Sequence, residues 1–564
     1  MMNIFNSSQS RALCRIQSYE TSASPPGVDL FSILEQLLPM GFIYGDDYGI
    51  QVAGEIRFQG GWSNGLSAVS ESIPSLSIPR SVDLPVAGRY VVIEVEFADH
   101  LAVPDPFRGR TVTTKVAESI PFLALGDNET VLATSQQRPI WVMSRKGVAR
   151  HFRAALPLPQ ISSDQNFSDV FNGERFLEML PLLQFLRELG GSNGYQCPPL
   201  RAAFMLDDPN LHWPQYGFVD YRELAMRAQK GNYHVSFATI PIDTWYVHAA
   251  TADIFRQNSR WLSLLVHGNN HAKEELAQIY PNATREALLW QAVRRIERLE
   301  KRGNLRVGRV MVPPHGACSN EMLAALPRCG FESACISAGS LRAHNRGMSW
   351  TKTLGFFPSE IIEGCPVLPR WGLTGSVKNT LLVAAYLGQP MILRGHHQDL
   401  RRGVEVFDEL AKFINGLGDL VWPNMTDLSR MNYLWRMEGT TCRVKPLGTI
   451  IAFEPPSEAA ELIIEAPDTS DQYVWRTVSV DGFVHATPPL EHIPLSELGT
   501  ELLIERSALS SATNQIMSRS PTSAWLILRR LLTEARDRFF TGQASRQIAS
   551  SQIADGMVGE QGDV

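Results

Sequence analysis

The chain has 564 residues, 44% of them hydrophobic and 20% charged, which are the proportions of a folded globular protein and exclude disorder or a fibrous repeat as a description of the whole. At roughly 100 to 200 residues per domain this length holds about three or four domains. With 52 Lys plus Arg against 58 Asp plus Glu the formal charge is -6, which supplies no basic field for a phosphate backbone, so nucleic acid is not an expected partner.

Residues 1–28, rich in Ser, Asn and Gln and ending in SASPPG, read as a flexible arm. Neither a continuous apolar secretion-signal core nor a run of about 18 apolar residues occurs, so the expectation is a cytoplasmic protein without a transmembrane segment. Seven scattered cysteines with no CxxC pair fit a reducing compartment. Residues 29–190 read as an accessory domain, β-rich or mixed α/β, with Tyr90–Phe97 (YVVIEVEF) as a strand and Phe176–Leu189 as an apolar-striped helix. The Gly/Pro-rich GGSNGYQCPP then leads into residues 198–437, where short continuous apolar runs alternate with helical patterns. Such β-α repeats predict a parallel sheet buried on both faces, doubly wound or closed into a barrel. Residues 438–510 return to short strands split by Pro and Gly, as in a small β-sandwich. An amphipathic basic helix over 521–541 is expected to dock on its own domain rather than on a membrane surface, and a flexible tail, 542–564, follows.

Nine of the 13 histidines fall between His212 and His397. Four polar clusters sit just past the carboxyl ends of predicted parallel strands: Asp207-Asp208, His267-Gly-Asn-Asn-His271, Pro313-Pro314-His315-Gly316 and His396-His397. In a barrel those ends share one face, where active sites are built. His267 and His271, four residues apart, place two imidazoles on one side of a turn, and one carboxylate completes a three-ligand site with an open position. Of two adjacent aspartates, one can bind the metal while the other accepts a proton from water.

These motifs, in this order over about 190 residues, resemble the polysaccharide deacetylase family (NodB homology, carbohydrate esterase family 4). The resemblance implies a distorted (β/α) barrel and one divalent metal, zinc ahead of cobalt, manganese or nickel. It also implies Asp208, His267 and His271 as ligands, Asp207 as general base and His396 as general acid, in a hydrolase that removes acetyl or acyl groups from a carbohydrate. It covers residues 198–435 alone. The third motif departs from the family: Val312-Pro-Pro-His315 lacks the arginine that pairs with the base and has His315 where a tyrosine's backbone N–H helps hold the oxyanion. Arg370, next to Trp371, is the candidate replacement cation. His212 and Trp213, directly after the aspartate pair, are candidates for stacking on a sugar or for packing a loop over the barrel mouth. Which of His396 and His397 does the work stays open. Two rivals remain: a glycosidase or non-sugar amidase on the same barrel, with Asp399 or Glu363 as second carboxylate, and a silent carbohydrate-binding protein with a structural metal. Oligomeric state is not readable.

Overall fold

A computed structural model of the chain describes residues 12–18, 28–45, 50–59, 71–80, 90–117, 121–465, 473–479, 484–486, 490–498, 501–508 and 523–539. The first unit is a nine-stranded mixed sheet between Ala12 and Ala154. Its strand Tyr90–Phe97 shows why such sequences fold this way: Ile93, Val95 and Phe97 are buried while Glu94 and Glu96 between them are exposed, the period-2 alternation of a strand with one covered face. The structure differs from the sequence expectation at the start of the chain. Ala12–Ser18, inside the segment read as an arm, pairs in parallel with Met40–Tyr44 on one side and Gly54–Gln59 on the other. Burial of Cys14 and Ile16, with Arg15 paired to buried Glu55 at 2.8 Å, holds it there. Its short apolar positions are hidden among polar neighbours. The tail expected over 542–564 lies outside the described residues.

The second sheet is the one that positions the site. Strands Leu200–Asp207, Val235–Thr239, Leu262–His267, Val307–Val312, Ser333–Cys335, Cys365–Leu368 and Met391–His396 run parallel; Glu360–Ile362 alone is antiparallel, on the outside of Cys365–Leu368. The sheet curls until its ends meet in one segment of chain. Val367 and Leu368 pair with Ala334 and Cys335 on one side, and Trp371 and Gly372, three and four residues past Leu368, pair with Leu393 and Arg394 on the other.

Alternate residues on these strands divide between two apolar cores. Ala203, Met205, Ala238, Leu265, Val310, Val312, Cys335, Leu368 and Ile392 cluster with Met425 and Leu428 of the helix Met425–Arg430. Their neighbours Phe204, Leu206, Val266, Met311 and Leu393 belong to the larger core shared with the outer helices. Strands covered on both faces read as unbroken apolar runs, which is the pattern seen in the sequence. Continued by two residues past Met205, Leu265 and Leu368, the inner rows end at Asp207, His267 and Arg370, and continued by four past Ile392 they reach His396.

The larger core continues into the N-terminal sheet, with Phe107 of that unit 5.0 Å from Phe176 and 6.2 Å from Tyr386, ring to ring. The two units therefore share an apolar interface. After the curled sheet come two four-stranded sheets, the first opening at Tyr433; Val444, Ile451, Phe453, Leu462, Ile464, Trp475 and Ile504 from both form one buried cluster. Residues 524–539 form the last described helix, and no helix among the described residues is long and apolar enough to cross a membrane.

Candidate active site

Where the strand Leu200–Asp207 ends, Asp208 takes a positive φ of 81°, a conformation that Asp tolerates better than most residues. The turn lets both aspartates act on His267, whose imidazole is raised above its ordinary value; burial opposes this and the two carboxylates outweigh it. Asp208 Oδ1 lies 3.1 Å from His267 Nε2 and 2.9 Å from His271 Nε2. His267 Nδ1 lies 2.8 Å from the Val312 carbonyl, which can only accept, so this nitrogen carries a proton, and whenever the ring is neutral its Nε2 lone pair is the one turned inward. A lone pair facing a carboxylate oxygen is repulsive unless a proton or a cation stands between them. Asp208 Oδ1 is buried and accepts no well-angled hydrogen bond. One oxygen and two nitrogens, all within 4.8 Å of one another, make a donor set that fits a divalent cation.

The loop carrying His271 is clamped by a residue that motif reading missed. Buried Glu275 accepts from the backbone N–H groups of Asn269 at 2.6 Å, Asn270 at 2.9 Å and His271 at 3.0 Å. Arg295 adds contacts to the Asn269 and Asn270 side chains at 2.5 and 2.9 Å. Gly268 has φ 61°, and a Cβ there would stand 2.4 Å from Glu275 Oε1 and 2.5 Å from Pro314 Cγ, so this turn requires glycine. An acid four residues after the second histidine was the available signal.

Asp207 is buried, and its two oxygens differ. Oδ2 lies 3.3 Å from Arg370 Nη1, both side chains being 3% exposed, while Oδ1 is buried without a hydrogen-bond partner. Arg370 thus stands against Asp207 from a strand end 163 residues away in sequence. His315 has φ 57° and is exposed, its ring 5.0 Å from that of His271. His396 pairs with Asp207 across the ladder and is 36% exposed at the mouth. Its neighbour His397 is packed away, against Tyr216 at 5.3 Å and Phe218 at 6.0 Å, with Asp537 Oδ2 3.6 Å from its Nε2.

The remaining candidates are distributed less evenly. Trp371 is half-buried beside Leu393. Trp213 is exposed, stacked on His248, with the Arg538 guanidinium 4.9 Å from its ring. His212 is buried and both ring nitrogens are occupied, Nδ1 by Glu534 at 2.8 Å and Nε2 by the Asp243 carbonyl at 2.8 Å. Asp399 sits at the mouth, accepting from the His396 backbone N–H at 2.8 Å. Glu363 lies in the turn before Cys365, at the opposite end of the parallel strands from the aspartate pair.

Helix 524–539 crosses this face. Arg530 pairs with Asp243 at 2.6 Å, both nearly buried, Glu534 holds His212, Asp537 approaches His397, and Arg529 donates to the His271 carbonyl. Burial lowers the His212 imidazole, but Glu534 and Asp243 together more than compensate and raise it above the ordinary value; Glu534 is held below its own ordinary value against burial, mainly by His212. A raised histidine contributes stability below its unfolded pKa and loses it as pH rises through the folded value. A depressed glutamate contributes above its unfolded pKa and loses it as pH falls. The helix is therefore expected to be held most firmly between the two, in mildly acidic solution, and to loosen above neutrality. Hydrogen exchange of 524–539 across pH, corrected for intrinsic rates, checks this; equal protection at pH 6 and 9 counts against it.

No family model and no curated protein matches the chain. Among solved structures, the proposed polysaccharide deacetylase of Mycobacterium smegmatis is 15% identical, with a TM-score of 0.30 over 41% of this chain and 90% of the other. A family 4 carbohydrate esterase of Streptomyces lividans is 10% identical, with a TM-score of 0.25 over 40% and 93%. A mutant peptidoglycan deacetylase of Bacillus subtilis is 11% identical, with a TM-score of 0.24 over 42% and 91%. The chain is thus similar, over about two fifths of its length, to solved carbohydrate esterases and polysaccharide deacetylases, at scores that carry none of their chemistry over to it.

Proposed function

We propose that the chain is a metal-dependent hydrolase that removes acetyl or related acyl groups from a carbohydrate. The observation that carries this is the divided Asp207 carboxylate, one oxygen against Arg370 and the other buried and unpartnered, next to the Asp208/His267/His271 donor set. A purely structural metal site needs no such second carboxylate.

Asp208 and the two Nε2 atoms would hold a divalent cation, zinc first in order of fit, which supplies a Lewis acid for the acyl oxygen and makes water more acidic. Asp207 Oδ1 takes the proton of the attacking water, and Arg370 keeps the carboxylate ionised and aimed, in place of the arginine missing from the third motif. The His315 backbone N–H donates to the developing oxyanion, since that of Gly316 is already given to the Pro313 carbonyl at 2.9 Å. His396, open to the mouth, gives a proton to the departing amine or alcohol, while packed His397 does not. Trp371 and Trp213 offer aromatic faces to the sugar, and His212 fixes the last helix instead of touching substrate. The glycosidase alternative loses Glu363, which stands at the wrong end of the strands, and keeps Asp399 alone.

Incubation with a panel of acetylated oligosaccharides tests the proposal. Acetate should appear in step with new free amines or hydroxyls and without new reducing ends. Reducing ends without acetate would make the chain a glycosidase.

A further inference from the structure

Helix 524–539 is amphipathic in the reverse of the usual sense. Its inner side, against the mouth loops, carries buried Arg530 and Asp537 together with Glu534. Its outer side is apolar: Trp525 is 64% exposed, Leu528 48%, Leu531 42%, Leu532 58% and Phe539 64%. At about 100° per residue these five side chains fall within an arc of roughly 120°. Arg529 and Arg536 lie along one edge of that arc and Arg538 along the other; Arg536 pairs with Asp537 at 2.8 Å and Arg538 with Glu534 at 2.8 Å, and Arg536 stays 58% and Arg538 39% exposed. From Trp525 to Phe539 the arc runs about 21 Å.

A solvent-facing apolar arc is costly unless something covers it. A second copy fits poorly: two such arcs laid together would bring arginine edges against arginine edges. An anionic lipid surface fits both features, since acyl chains take the Trp, Leu and Phe side chains and phosphate headgroups take the flanking guanidiniums. We propose that the outer face of helix 524–539 docks the protein on an anionic lipid surface while its inner face stays fastened to the barrel mouth. The mouth loops then lie about one helix diameter, roughly 10 Å, from the headgroups.

Flotation of the full chain with vesicles of phosphatidylcholine, alone or mixed with phosphatidylglycerol, tests this. The parent should float with the mixed vesicles at least about tenfold better than with phosphatidylcholine alone, and less as salt is raised. Leu528→Asp/Leu532→Asp should lower flotation at least about tenfold, since it puts two carboxylates where the acyl chains would lie and next to anionic headgroups. Arg536→Gln should weaken the preference for phosphatidylglycerol while leaving the apolar arc whole. Hydrogen exchange over 524–539 must match the parent in each variant, so that lost binding is not lost helix; a variant that fails this is replaced by Leu528→Ser/Leu532→Ser. Absence of flotation with either vesicle, or equal flotation of parent and leucine variants, overturns the proposal. A concentration-dependent dimer that the same variants dissolve, without flotation, overturns it in favour of a second copy.

Discussion

Asp207→Asn is expected to lower turnover on an acetylated carbohydrate by at least about a hundredfold, the lower end of what a positioned acid or base contributes, while metal content stays at the parent level. Asp207 is not one of the three convergent donors, so its loss leaves Asp208, His267 and His271 in place. Asparagine keeps the size, and its oxygen keeps the contact with Arg370, now 3.3 Å from Oδ2. What disappears is the ability of the unpartnered oxygen to take a proton. Acetate release at saturating substrate measures the effect. A kcat within about threefold of the parent would put the base elsewhere. His396→Ala should show the same separation, most clearly on substrates with poor leaving groups, whereas His397→Ala should act on the packing around Tyr216 and Phe218.

His267→Ala has the larger expected consequence. It removes one of three donors from a site that needs all three, and the lost second-layer contact to the Val312 carbonyl goes with it. Outer contacts alone are typically worth about 10- to 100-fold in metal affinity, so loss of a direct ligand should exceed about a hundredfold and reduce hydrolysis to background. The site would also keep the half-buried Asp208 carboxylate facing a single imidazole. Unlike Asp207→Asn, this variant should lose metal and turnover together, and titration of the metal-free protein with zinc, followed by calorimetry, separates the two cases.

What was legible in the sequence was local. Continuous apolar runs marked the inner strands because both of their faces are covered, and a change from apolar to Asp, His or Pro-Pro marked where each run leaves the sheet. The His-x-x-x-His spacing carried two of the three donors in one loop. Contacts made only by folding were not legible. Nothing in LPRWG says that Arg370 meets Asp207, because the curl of the sheet brings them together. Nothing around Glu275 says that its carboxylate gathers three backbone N–H groups of the His271 loop. Periodicity showed that the last helix has two faces, but the usual assumption that the apolar face packs inward would have oriented it wrongly; the mouth loops present Asp243 and His212, and charged partners answer them. The early strand Ala12–Ser18 was missed because a short strand held by parallel neighbours on both sides needs little apolar pattern of its own.

The most direct test of the account is elemental analysis of purified protein. About one divalent cation per chain is expected in the parent and in Asp207→Asn, and close to none in Asp208→Ala, His267→Ala or His271→Ala. Full occupancy in the His267→Ala/His271→Ala double variant would contradict it, because the cation would then be held somewhere other than the site from which the whole mechanism has been built.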